Sequence, residues 1–366
     1  MLVEQYKAFL AQHIYPIEKA IIYGSFRSYL PALAELRALA KKEGLFAPHL
    51  SQEEGGLGLN LVEFAQISEV LGTSPLGHYV FNCNAPDIGN MELMHQFASE
   101  YLKSTYLQPL QRGEIRSCFC RTEPEHAGSN PVHLSTTAIR DGDFYVINGH
   151  KWFTTAADGA AFTIVMAVTN PTHENPYERA SMILVPLDTP GYRLIRNISI
   201  MGDEGEDYLS HGEVEFTDCR VPVSHLIGPE GAGFTLAQVR LGPGRIHHCM
   251  RAIGMAERAL SMMIARANSR VAFGKELSHQ GTIQNWIAES RIEIEQARLL
   301  VLKCAWMIDT QGAKAARKEI AAIKVAVPRM AQQVVDRAIQ VHGGAGVSQD
   351  TVLAAMYAGI RTLRIV

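Results

Sequence analysis

Hydrophobic spacing divides the chain into three zones. Up to about residue 112, apolar positions recur at helical intervals. Leu2, Tyr6, Phe9 and Ile14 form one series, and Leu30, Leu33, Leu36 and Leu39 another. The glycine-rich stretch 54–58 neither follows a strand nor contains Gly-Lys-Ser, so it reads as a turn. From about 113 to 227 the period shortens. Runs at 144–147, 162–166, 182–185 and 212–216 are β-rich and separated by turn signals, with Gly142 and Asn148-Gly149 as turn residues. From Gly228 helical series return. Ile283, Ile287, Ile294, Ala297, Val301, Cys304 and Ile308 hold one face, and Ile320, Ile323, Val327, Met330, Val334 and Ile339 another. Pro328 is expected to kink the second of these helices. A last helix is expected from about Thr351. The expected domains are 1–112, helical; 113–227, a small antiparallel barrel or sandwich; and 228–366, a helical bundle.

Composition narrows the class without naming a chemistry. The chain has 366 residues, 47% apolar and 19% charged, which suits an ordinary globular protein with a large core. Net charge is −3, so electrostatics give no case for nucleic acid or an anionic membrane surface. The apolar run 160–168 is broken too early to span a bilayer. The first residues do not read as a secretory signal or a mitochondrial presequence. Six scattered cysteines form no disulfide framework and read as reduced core residues of a cytosolic-type compartment, which would be the cytoplasm in a bacterium and is otherwise open. Cys118 and Cys120 alternate along an expected strand and should share one face.

Candidate chemistry lies in the central zone. The strand-like 115–120 breaks into Arg121-Thr122-Glu123-Pro124-Glu125-His126-Ala127-Gly128-Ser129. Some twenty residues on comes Asn148-Gly149-His150-Lys151-Trp152-Phe153-Thr154-Thr155, expected as a tight turn feeding an aromatic and threonine strand. Together they offer backbone N–H groups, hydroxyls and a flat aromatic wall. That set suits a planar heteroaromatic ring with carbonyl and amide edges, and a flavin is the obvious candidate.

In order and spacing these segments resemble the acyl-CoA dehydrogenase family, whose flavin strands read T-E-P-x-A-G-S and N-G-x-K-x-W-x-T. This chain has one extra residue in the first loop and Phe153 where tryptophan is usual. Further segments strengthen the resemblance. The stretch 228–234 looks like the family's hinge into its last domain. Arg245 to Gly254 resembles R-x-x-x-x-x-x-x-x-G. Its Arg-Ile-His-His-Cys-Met-Arg form points to the branch holding the human members numbered ten and eleven and bacterial relatives. The neighbours His247, His248 and Cys249 point about 100° apart on a helix and cannot share one metal ion unaided, so no metal is expected. Arg270 to Lys275 matches R-x-x-F-G-K, and by itself reads as a basic helix end with a glycine cap. Gln340 to Gly346 matches Q-x-x-G-G-x-G.

The resemblance implies an α+β fold: an N-terminal helical domain, a central antiparallel β-barrel and a C-terminal four-helix bundle. It implies bound FAD and oxidation of an acyl-CoA thioester to the trans-2-enoyl thioester. Electrons would pass to an electron-transfer flavoprotein, and the assembly would be a homodimer or homotetramer. Phe119, Thr122, Ser129, Phe153 and Thr155 would line the flavin. Arg270, Phe273, Gln340 and Gly344 would hold its ADP part from a neighbouring subunit. Arg245 would organise the acyl-CoA cavity. The family's carboxylate base would follow Arg361-Thr362-Leu363-Arg364, just beyond Val366, and its alternative position is Gly244 here. Glu123 and Glu257 read as solvated or structural residues rather than the base. An acyl-CoA oxidase, a flavin monooxygenase or a base-less flavin-binding scaffold of the same fold stay open, as do acyl chain length and compartment.

Overall fold

The computed structural model describes residues 1–365, apart from the side chains of 241–243. The chain packs as two compact units. One comprises residues 1–25, 29–81 and 242–366, and the other 26–28 and 82–241.

The first unit is helical. Its principal elements include Leu2–Phe9, Tyr15–Ile22, Leu30–Lys42, Leu61–Leu71, Gly281–Gln311, Arg317–His342, Leu353–Leu363 and most of the long Gly233–Ser269. The apolar series converge as their spacing requires. Ile294, Ala297, Val301 and Cys304 join Ile320, Ile323, Val327 and Val334 in one buried cluster. Helix Arg317–His342 runs on through Pro328, which is itself buried. Two glycines bring helices together at backbone distance. A Cβ on Gly254 would stand 2.0 Å from the Glu69 carbonyl oxygen, and one on Gly72 2.6 Å from the Arg251 Cα. The glycine nine residues after Arg245 is therefore a packing requirement.

The start of helix Leu61–Leu71 shows how local sequence and tertiary contact combine. Asn60 and Glu63 form a reciprocal capping box. Asp309, from helix Gly281–Gln311, accepts the Leu61 and Val62 N–H groups, each at 3.0 Å. All four N–H groups a helix start leaves open thus find carboxylate or amide oxygens.

The second unit carries the sheet. Its strands are β1 (Ser117–Cys120), β2 (Thr137–Asp141), β3 (Phe144–Thr155), β4 (Phe162–Val168), β5 (Ala180–Pro186), β6 (Tyr192–Asn197), β7 (His211–Pro222) and β8 (Leu226–Ile227). They pair in the order β6-β7-β3-β2-β4-β5-β8, with β1 on β4. The expected antiparallel pattern holds with two departures, both at β4: β1 runs parallel to it, and β2 meets it in parallel at Thr137. Among the described residues β6 and β8 do not pair, so hydrogen bonding leaves the sheet open. Gly142 and Asp143 make the two-residue turn between β2 and β3.

Asn148-Gly149 does not turn the chain. It lies inside the twelve-residue β3, at a register shift against β7. Gly149 is needed for a close approach instead, since a Cβ there would stand 2.3 Å from Thr136 Oγ1. The six cysteines are free and buried, Cys118 and Cys120 on one face of β1. Among the described residues no helix is long and apolar enough to cross a membrane.

Candidate functional site

The two segments singled out in the central zone are tied together by Lys151 and Trp152. The Trp152 N–H donates to the Thr122 carbonyl at 3.0 Å. The Lys151 ammonium, fully buried, spends its three N–H donors on three acceptors. These are the Arg121 carbonyl at 3.1 Å, Glu123 Oε1 at 2.8 Å and the Met166 carbonyl at 2.7 Å. Glu123 in turn accepts the Ser135 N–H at 2.6 Å and the Thr136 N–H at 3.0 Å, fixing the far end of the loop. Burial alone would raise the Glu123 pKa. The Lys151 charge and these hydrogen bonds outweigh it and hold the carboxyl below its usual range. Glu123 is thus structural, as expected.

The loop so held borders a small hollow open to solvent, lined by Thr122, His126, Gly128, Asn130 and His133 among others. His126, within the lengthened loop, meets Ser135 Oγ at 2.6 Å. Gly128 packs on Thr122, where a Cβ would stand 3.0 Å from the threonine methyl. Ser129 is exposed, and among the described residues no acceptor takes the Gly128 or Ser129 N–H. Those donors are free to meet an anionic or carbonyl ligand.

Three further residues in this unit present ring or hydroxyl surface. Phe119, half-buried on β1, carries the Arg240 guanidinium 4.1 Å above its ring. Arg240 Nε also donates to Asn90 Oδ1 at 3.0 Å, and burial pushes its pKa down to about 10. Phe153 is 45% exposed and held at φ +50° where β3 slips against β7. Its ring tilts against Trp152 at 4.9 Å. Thr155 is half-buried, its Oγ1 3.0 Å from His211 Nδ1. Phe119, Thr122, Ser129, Phe153 and Thr155 thus all lie on this sheet and its loop.

The remaining candidates belong to the helical unit. Arg245 sits half-buried on helix Gly233–Ser269. Burial and the nearby Arg245 charge lower the pKa of Lys324, whose ammonium donates to the Leu363 carbonyl at 3.1 Å. Arg270 is exposed just past the end of that helix. The segment after it is a hairpin rather than a glycine cap. Val271–Ala272 pairs with Lys275–Glu276 across Phe273 and Gly274, both at positive φ, the pattern of a type I′ turn. Phe273 at its tip is wholly exposed. Gln340 and Gly344 are exposed at the end of helix Arg317–His342, and a Cβ on Gly344 would meet nothing within 4 Å. Gly346 differs, for a Cβ there would stand 2.5 Å from the Ile339 carbonyl oxygen.

His247 packs edge-on against Phe64, whereas Cys249 lies in the core cluster. Glu257 is clamped by Arg291 at 2.6 and 2.9 Å and by Arg298. A carboxylate so engaged is poorly placed to take a proton. The expected base position beyond Val366 lies outside the described residues.

Sequence reasoning assigned no role to Lys151, Arg240, Lys324 or His211. Lys151 carried a signal, since it shares the inward parity of Tyr145 and Ile147, where a charge needs a partner. The others act through non-local contacts that leave no trace in spacing.

Three family models match this chain. They are the acyl-CoA dehydrogenase N-terminal domain over residues 1–114, the middle domain over 118–219 and the C-terminal domain over 231–366. Acyl-CoA dehydrogenase family member 11 of Gallus gallus is 49% identical over 98% of this chain and 47% of its own length. The chain therefore spans about half the length of that relative. The Mycobacterium tuberculosis protein named Probable acyl-CoA dehydrogenase FadE2 is 49% identical over 92% of this chain and 82% of its own length. A Mycobacterium abscessus structure, named as an acyl-CoA dehydrogenase, superposes with TM-score 0.94 at 42% identity, covering 100% of this chain and 93% of its own. By its three matched domains, its relatives and its fold, the chain belongs to the acyl-CoA dehydrogenase family.

Proposed function

We propose that the chain binds FAD and oxidises an acyl-CoA thioester between its α and β carbons to the trans-2-enoyl thioester. Electrons then pass to an electron-transfer flavoprotein, and the working assembly is a homodimer or homotetramer. The observation that carries this reading is the Trp152 N–H to Thr122 carbonyl bond at 3.0 Å, which joins the two flavin-type segments into one surface.

The residues present fit the cofactor. Unclaimed N–H groups at Gly128 and Ser129 suit an anionic or carbonyl edge. Phe119 and Phe153 offer aromatic faces, and Thr122 and Thr155 offer hydroxyls. Bound FAD supplies the acceptor for the hydride that leaves the β carbon. The chain's own part is to hold and to exclude water. Lys151 and Glu123 hold the two ends of the loop, and Phe153 would pack against the ring. Arg245 organises the acyl-CoA cavity. Arg270 is suited to a pyrophosphate, because its planar guanidinium binds such groups bidentately. Phe273, Gln340 and Gly344, exposed in the single chain, serve with it the ADP part of the cofactor in a neighbouring subunit. A wholly exposed phenylalanine at positive φ is costly in isolation and gains from such a cover. The α-proton requires a carboxylate base, and Glu123 and Glu257 are both engaged elsewhere.

A visible absorption spectrum of the purified chain tests the reading, followed by anaerobic addition of acyl-CoAs of several lengths. Flavin bands that bleach with one acyl-CoA support it. Bands that never bleach leave flavin binding without dehydrogenation, and absence of bands overturns the cofactor assignment.

A further inference from the structure

His211 faces the candidate flavin surface, and no role has so far been given to it. It lies directly opposite Thr155 across the β3–β7 ladder. The backbone on either side is pinned. The Ala156 N–H donates to the Ser210 carbonyl at 2.9 Å, and the Ile198 N–H to the His211 carbonyl at 2.8 Å. The neighbouring pair is Thr154 with Gly212, where a Cβ would stand 2.8 Å from Ala157 Cβ and Leu194 Cδ1. The glycine keeps this crowded part of the ladder in register. Thr155 Oγ1 and His211 Nδ1 are left 3.0 Å apart, both residues half-buried.

A threonine hydroxyl has one proton and two lone pairs, and a neutral imidazole has one N–H and one bare nitrogen. If Nδ1 carries the proton, it donates to Thr155 and leaves the hydroxyl proton for a ligand. If Nδ1 is bare, it takes that proton and Thr155 offers only lone pairs. We propose that His211 is a positioning residue that sets whether the Thr155 hydroxyl donates to, or accepts from, the bound flavin. The assignment rests on the flavin reading above and deepens it. Burial lowers the His211 pKa, partly opposed by Asp203, which keeps the ring neutral and both tautomers available.

The test is FAD affinity, the position of the long-wavelength flavin band and the midpoint potential, measured in the parent, His211→Leu, His211→Asn and Thr155→Val. His211→Leu is expected to weaken FAD binding roughly tenfold and to shift band and potential. Asn places a donor and an acceptor near the Nδ1 position and is expected to restore most of both. Adding His211→Leu to Thr155→Val is expected to change nothing further, because the bond is already gone. Thr155→Val removes the bond from the other partner, so the test survives if His211→Leu fails to fold. A parent that binds FAD, with variants that match it in affinity, band and potential, overturns this assignment alone. A parent that takes up no FAD overturns the flavin reading and this assignment with it.

Discussion

Lys151 and Glu123 form an ion pair, Nζ to Oε1 at 2.8 Å, in which neither side chain is more than 1% exposed. Taking two charges out of water is expensive, and the pair is tolerable only because every donor on Lys151 has an acceptor. Removing one partner leaves the other charged and buried. Lys151→Met is therefore expected to cost about 3–5 kcal/mol of unfolding free energy, read by urea titration. Lys151→Met with Glu123→Gln should cost less than Lys151→Met alone, and a double variant as unstable as the single one contradicts the account.

Phe153 separates ligand binding from stability. It is 45% exposed and off the regular ladder, so Phe153→Ala should change unfolding free energy by no more than about 0.5 kcal/mol. The same change is expected to loosen FAD several-fold, measured by cofactor loss on dilution. Unchanged retention would count against the aromatic wall.

Glu257 is held by Arg291 and Arg298. Glu257→Gln is expected to lower stability by about 1–3 kcal/mol while leaving the rate of acyl-CoA bleaching intact. A bleaching rate that collapses in a folded variant would identify Glu257 as the base.

Asp309 acts as a cap donated by a distant helix. Asp309→Ala strips the acceptors from the Leu61 and Val62 N–H groups and should cost about 1 kcal/mol, seen as a lower thermal midpoint. Asp309→Asn should recover part of the loss.

Acid sensitivity follows from His49. Both its ring nitrogens are buried, and burial, with the nearby His247, pushes its pKa down from 6.5 to about 3. The unfolded chain therefore binds a proton that the folded chain refuses. Stability is fully present above about pH 6.5 and is lost as pH falls toward 3. Glu123, also held low, adds to the loss in the carboxylate range. The denaturant midpoint should drop between pH 7.5 and 5 in the parent and drop less in His49→Phe.

What the sequence disclosed followed from local periodicity. Ile294, Val301, Ile323 and Val334 could be placed in a core because helix geometry alone brings them to one face. The strand-and-loop surface around Thr122 and Phe153 was legible as motifs. Asn148-Gly149 misled, because a dipeptide that favours a turn was kept for the room it leaves Thr136. The parallel β1–β4 pair, the Arg240–Phe119 stack and the Thr155–His211 bond depend on register between segments far apart, which spacing does not encode.

All six thiols are buried in the folded chain. A thiol reagent can then modify them only as fast as the protein opens, so alkylation becomes a clock for local opening. Cys118 and Cys120 report on β1 beneath the candidate flavin surface, while Cys249 and Cys304 report on the helical core. Comparing the two labelling rates with and without FAD would show which region the cofactor holds shut.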